Sequence, residues 1–273
     1  MLEWLGIIVF IGLILVFFYR QAIHEFRINQ ANATQRSEIL ELWKERVPLV
    51  IRELPRMSLW TREDIMERAC YEQVALFKDQ SLAEWIRSVS LLSGAGGVDG
   101  EGGKSEIRCP WYSPQAERIA GVTGISIWAE RYLHPLMGSF WYMARYHSWA
   151  GSVGVHRTYA SWTCILPVEG ELVVTIFPGS MEPYLPVEWR GTFPSEWTKR
   201  DTPFAADIKY MDIVVRPGTC LFLPPHWFVS WSSATLSMVY TISYHTPISL
   251  IAFRLAEAEA NRQGLSNKTN FYK

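Results

Sequence analysis

The chain predicts a mainly β protein with flanking helices, built as a two-sheet jelly roll behind one N-terminal transmembrane helix. Three observations predict this. Short apolar runs alternate with turn signals through the second half, helical spacing flanks them on both sides, and an uncharged apolar run opens the chain. At 273 residues, net charge −1 and 49% hydrophobic residues, there is enough apolar material for one sizeable core besides an anchor. The balanced charge, with no basic stripe and no phosphate-cradling glycine loop, argues against nucleic acid as a partner.

Residues 1–22 read as the anchor. Trp4 to Tyr19, WLGIIVFIGLILVFFY, carries no charge and is bracketed by Glu3 and Arg20. At about 1.5 Å per residue it covers slightly less than the roughly 30 Å hydrocarbon core, a gap that Arg20 closes by reaching to the interface. Trp4 and Tyr19 stand where interfacial aromatics belong. A cleaved signal peptide competes, with Ala31-Asn32-Ala33 as a small-x-small site. Glu3 in the leading region, and the distance from the apolar run to that site, favour the uncleaved anchor. Arg20, Arg27 and Arg36 after the span place the large C-terminal body on the cytosolic or equivalent side.

Residues 23–47 predict a membrane-proximal helix, with Ile39, Leu42, Trp43 and Val47 at helical spacing before Pro48. Residues 48–92 predict a helical lead-in. Thr61 begins one helix toward Phe77, with Glu63 and Asp64 in its first turn, and Ser81 with Glu84 forms a capping box for a second through Leu92. The glycine-rich stretch within 93–106, SGAGGVDGEGGKS, reads as a mobile loop rather than a nucleotide fingerprint.

Residues 107–248 predict the barrel. Its strand-like runs are Gly124 to Trp128, Phe140 to His147, Trp162 to Pro167, Glu171 to Phe177, Ile213 to Arg216, Thr219 to Leu223, Trp227 to Ser232 and Ser237 to Tyr244, a spacing suited to a double-sheet jelly roll. A proline- and tryptophan-rich excursion lies between Gly179 and Asp212. Residues 249–273 predict a closing helix, apolar at Leu250, Ile251, Phe253 and Leu255, followed by a tail. Cys70, Cys109, Cys164 and Cys220 are too few and dispersed for a disulfide framework or a zinc knuckle; Cys164 and Cys220 fall in apolar strands as small core residues.

Arg216 to Trp231, RPGTCLFLPPHWFVSW, resembles the second conserved motif of the JmjC and cupin-like 2-oxoglutarate oxygenases, P-G-D-x-L-F-x-P-P-G-W-x-H. Pro48-Leu49-Val50-Ile51-Arg52 with Leu59-Trp60-Thr61 is similar to the family's opening P-V-V-I-R-G and W-T. Gly151-Ser152-Val153 leads to His156 as in its middle, and Gly170 to Pro178 resembles its G-x-K-x-W-x-L-F-P-P strand. The likeness spans roughly Arg46 to Pro247 and implies a double-stranded β-helix around an iron(II) site of two imidazoles and one carboxylate.

The ligand positions have changed chemistry. Where the resemblance implies H-x-D, the chain reads His156-Arg157-Thr158, or Arg157 and Tyr159 if the register slips by one. The second histidine position holds Val229, the glycine position holds His226, and the lysine that pairs with the co-substrate falls at Leu172. No aspartate or glutamate occurs between Glu130 and Glu169. Loss of supporting partners alone weakens metal affinity about 10- to 100-fold, so loss of two direct ligands predicts a pseudoenzyme without catalytic, cofactor-binding or metal residues. The alternative is an all-histidine site of His156, His226 and His245. The plainer reading puts these histidines in turn caps or on backbone carbonyls, and His134 and His147 among aromatic neighbours.

The expected function is an anchored, non-catalytic accessory or scaffold subunit of a membrane assembly, with the lipid bilayer and protein subunits as partners. The mitochondrial inner membrane is the expected setting, with a virion or other internal membrane as the alternative; no arginine-rich transit segment precedes the span, so the anchor serves as address. The other readings are a membrane-bound iron-dependent dioxygenase and a lipid- or small-ligand-binding barrel. Of the 13 tryptophans, Trp141, Trp149, Trp162, Trp189, Trp197, Trp227 and Trp231 lie near the barrel mouth or in the excursion, as core or as protein contacts.

Overall fold

A computed structural model describes residues 2–20, 26–57, 61–67, 75–77, 80–81, 84, 120–138, 142–198, 200–233 and 237–262. The glycine-rich stretch, Cys70, Cys109, Trp141 and the C-terminal tail lie outside the described residues.

Helix α1 spans Leu2–Arg20. The helix predicted over residues 23–47 is replaced in part by a strand, β1 (Asn29–Asn32), and a short helix, α2 (Arg36–Leu42). Strand β1 pairs in parallel with β2 (Leu49–Arg52). Asparagines at both ends of β1 favour local backbone bonding over helix, and the Asn29 N–H donates to the Pro48 carbonyl at 2.9 Å. Tertiary pairing therefore overrides the periodic pattern that Ile39, Leu42 and Trp43 suggested for the whole segment.

Helix α3 (Arg62–Glu67) begins at Thr61, whose hydroxyl bonds the Asp64 carboxylate at 2.6 Å and accepts the Asp64 N–H at 3.2 Å. Strands β3 (Ala75–Phe77) and β4 (Gln80–Ser81) form a small hairpin. The predicted capping box is present in both directions: the Ser81 N–H reaches the Glu84 carboxylate at 2.9 Å and the Glu84 N–H reaches the Ser81 hydroxyl at 3.3 Å.

The run from Gly124 is a helix, not the expected strand. In α4 (Ile125–Tyr132) the residues Ile125, Trp128 and Ala129 fall on one buried face at i, i+3 and i+4. Gly124 supports its start with φ 71°. A single turn, α5 (His134–Met137), follows with Pro135 in its first positions.

Eight strands then build the roll: β5 (Met143–Ala150), β6 (Val153–Arg157), β7 (Trp162–Glu169), β8 (Leu172–Phe177), β9 (Met211–Val215), β10 (Cys220–Leu223), β11 (Phe228–Ser232) and β12 (Met238–His245). One sheet has the order β1-β2-β10-β7-β12-β5 and the other β6-β11-β8-β9. Successive strands pass from sheet to sheet except at β8 to β9, and the first and last lie side by side, which is jelly-roll connectivity. Helix α6 (Pro247–Arg262) closes the described chain.

Two cores flank the six-stranded sheet. Between the sheets, Trp149, Ile165, Val174, Leu223, Val229 and Trp231 pack together. On its outer face, Cys164, Phe222, Tyr240 and Tyr244 pack against Ile39, Trp43, Ile125 and Trp128 of the helices. Strands β7, β10 and β12 are thus covered on both sides, which explains why they are buried along nearly their whole length. Cys164 and Cys220 are buried free thiols in the outer core; burial first, and then the Cys220 thiol, push the Cys164 pKa up. The excursion winds through three 3-10 turns and packs Trp189 and Trp197 over Phe177 and Phe228.

Among the residues described with their side chains, no helix is long and apolar enough to cross a membrane. The α1 backbone runs as a helix through 19 residues. Trp4 is 72% exposed and Phe10 64%.

Candidate functional site

Strands β6 and β11 pair antiparallel with Val229 opposite His156. Val229 is fully buried in the core between the sheets, so an isopropyl group stands where the motif's second imidazole was expected. His156 Nδ1 lies 3.1 Å from the Gly154 carbonyl, a contact that makes Nδ1 the protonated nitrogen. Its ring packs edge-on against Trp231 at 5.4 Å. The residue is half-buried by exposed area, but its ring lies within the barrel wall; desolvation, opposed in part by the Gly154 hydrogen bond, lowers its pKa to about 4.

Thr158 follows directly after β6 and is buried. Its hydroxyl lies 2.9 Å from the Pro224 carbonyl and 3.1 Å from the Trp227 carbonyl, and accepts the Trp227 N–H at 3.1 Å. A side chain at the expected carboxylate position therefore ties the 158–161 turn to the 224–227 turn. Leu172, at the co-substrate lysine position, is a buried hydrocarbon of the same core.

The all-histidine alternative is not assembled. Among the described residues, no three His, Cys, Asp or Glu side chains are grouped so that they could hold a metal ion. His226 has a left-handed backbone, φ 68°, and its ring meets Tyr19 of α1 at 4.8 Å. His245 ends β12 under α6, 5.7 Å from the Phe253 ring and with Nδ1 3.4 Å from the Ser249 hydroxyl. One imidazole, one committed hydroxyl and one isopropyl group do not fit an iron(II) facial site, which needs two imidazoles and a carboxylate.

The structure adds a feature that motif reading missed. Register pairs His147 with Thr241, and Arg145 with Ser243, which in turn pairs with Thr163. Alternation puts these side chains on the same face as Trp149, Ile165 and Val239, which belong to the core between the sheets. Half of that face is therefore polar. Burial first, then Arg145 and His245, lower the His147 pKa to about 3; burial, then Arg145 and Arg254, lower His245 to about 4. Both imidazoles are neutral at physiological pH. The alternation of Arg145, His147 and Trp149 along MARYHSWA was the available signal.

The barrel mouth is also where α1 ends. The Tyr19 hydroxyl donates to the Tyr159 carbonyl at 2.6 Å, and Tyr159 faces the Phe253 ring of α6 at 6.5 Å.

No family model and no curated protein matches the chain. Solved structures do. A cupin superfamily protein from Desulfitobacterium hafniense matches with 14% identity over 38% of this chain and 68% of its own, at a TM-score of 0.24. YcfD, a ribosomal oxygenase from Escherichia coli, matches with 14% identity over 48% of this chain and 29% of its own, at a TM-score of 0.26. The fold is a cupin-like double-sheet jelly roll. The order of the eight roll strands carries that assignment, since overlaps of this extent establish neither a ligand nor a reaction.

Proposed function

We propose that this protein is a membrane-anchored, non-catalytic cupin- or JmjC-like barrel that serves as an accessory or scaffold subunit of a membrane assembly. The observation that carries the reading is the placement of α1. Its apolar rings project away from the barrel while its last turn is fastened to the mouth through Tyr19, Tyr159 and His226. A helix whose exposed positions, Trp4, Phe10 and Leu13 among them, are apolar is matched by lipid. The altered ligand chemistry at Thr158 and Val229 supports the non-catalytic part, because neither group can bind iron(II) in place of the residues it replaces.

Alkaline carbonate washing of membranes from cells that make the full chain tests the anchor. The full chain stays with the bilayer and a chain starting at residue 26 is released; release of both contradicts the reading. Co-purification from native membranes, resolved by size, tests the scaffold role, with a large particle expected and free monomer counting against it.

The polar half of the interior face favours a second reading, a barrel that holds a small ligand. Arg145, Thr163, Ser243 and the two neutral imidazoles supply donors and acceptors deep in the roll. Native mass spectrometry after mild detergent extraction separates the readings, because a bound small molecule supports the second and a bare chain opposes it.

A further inference from the structure

The four-stranded sheet ends on β9 (Met211–Val215), which pairs with β8 on one side only. The opposite end, β6, is covered, because the Val155 backbone bonds to Thr192 and Gly191 of the excursion. Among the described residues no backbone bond reaches the outer edge of β9. Natural sheets guard such edges with lysine, proline or a bulge. Strand β9, MDIVV, has none of these, and its ladder to β8 runs without a register shift.

The two faces of the strand differ. Val215 is buried, and Met211 and Ile213 pack against the core between the sheets. Asp212, Val214 and the following Arg216 alternate with them and are exposed. Val214 is 50% exposed and its β8 partner Val173 38%, so an apolar pair sits at the rim of the sheet. Opposite charges flank that pair. The Thr175 hydroxyl donates to Asp212 Oδ1 at 2.6 Å, and Arg216 Nε donates to Glu171. Those two bonds leave the second carboxylate oxygen of Asp212 and the terminal guanidinium nitrogens of Arg216 for further partners.

Acid, valine and base at alternate positions form a pattern complementary to its own reverse. A second copy of β9 laid antiparallel keeps exposed faces on one side only if the two-fold axis lies level with a residue, not between two. An axis level with Asp212 sets two carboxylates against each other. Level with Ile213 it sets Asp212 against Val214, and level with Val215 it sets Arg216 against Val214. An axis level with Val214 places Asp212 opposite Arg216 of the second copy, twice over. It also sets valine against valine at the centre and Ile213 against Val215 on the core side. Only this register pairs charges, apolar groups and open backbone edges together.

We propose that this protein forms a two-fold dimer in which the β9 strands of two copies pair antiparallel about Val214, joining the two four-stranded sheets into one. The proposal goes beyond the anchoring and scaffold readings and does not rest on them, since no residue of α1 or of the barrel mouth takes part.

The test uses the full chain, purified alone in detergent, with its mass read by sedimentation velocity. A dimer is expected. Asp212→Arg and Arg216→Asp each set like charges opposite each other and weaken self-association about tenfold, while the thermal unfolding transition is retained. Mixing the two variants restores the dimer, because every facing pair is then opposite in charge. Val214→Cys gives a disulfide-linked dimer under mild oxidation, since Cα atoms facing across antiparallel strands lie about 4.5–5.5 Å apart, within disulfide reach. Val187→Cys, at a position 95% exposed on the excursion, cross-links no more than the native chain. A folded native chain that stays monomeric, leaving the edge to a strand of another protein, overturns the proposal. So does a dimer that both charge variants leave intact, or one that Val214→Cys fails to cross-link.

Discussion

Val229 stands directly across from His156 in the pairing of β6 with β11. One strand carries an imidazole, and its neighbour fills the facing position with an apolar side chain of the core. A histidine placed at position 229 should therefore harm the fold. Val229→His places a polar ring at a fully buried position and is expected to cost about 2 kcal/mol, read as a lower midpoint in urea unfolding. An unchanged midpoint would mean that the interior there accepts a polar ring.

Thr158 has a structural task. Thr158→Val removes a hydroxyl that joins Pro224 and Trp227 across the mouth, leaving a buried N–H and carbonyls with fewer partners. The expected loss is about 1–3 kcal/mol in chemical denaturation. Thr158→Ser, which keeps the hydroxyl, should recover most of it.

The buried histidines set a pH dependence. His147 titrates near 3 and both His156 and His245 near 4 in the folded chain, against about 6.5 when unfolded. Between pH 6.5 and about 4 the unfolded chain binds more protons, so stability falls as pH falls through this window. Above pH 6.5 these groups contribute no slope. Each depressed histidine adds a slope of at most about 1.4 kcal/mol per pH unit while it titrates. Unfolding free energies measured from pH 7.5 to 4.5 should show the decline, and His147→Leu should flatten it.

Gly154 lets the excursion approach β6. A Cβ at this position would collide with the Gly191 backbone, at the point where Val155 and Gly191 exchange backbone bonds with the excursion and the strand: the Val155 N–H donates to the Thr192 carbonyl at 2.7 Å and the Gly191 N–H to the Val155 carbonyl at 2.8 Å. Gly154→Ala should cost about 3 kcal/mol and raise hydrogen exchange across residues 189–193. Native-like protection there would contradict the packing.

Legibility in the sequence followed the range of the interactions. Strands such as Cys220–Leu223 were readable because their burial comes from a continuous apolar run. The Ser81–Glu84 capping box was readable because it is local. Residues 125–132 were misread because Ile125, Trp128 and Ala129 suit a helix face as well as a short strand. Asn29–Asn32 was missed because a distant partner, Leu49–Arg52, makes it a strand. At the site, the pairing of Val229 with His156 follows from strand register, which motif order does not give. The polar face of Arg145, His147, Thr163 and Ser243 required the register of three strands.

The account depends most on the roll having no grip on iron at His156, Thr158 and Val229. Metal analysis of the full chain, purified without chelators and incubated anaerobically with iron(II), measures this most directly. The account predicts no stoichiometric iron, and the same trace level in His156→Ala as in the native chain. Stoichiometric iron that disappears in His156→Ala would contradict it.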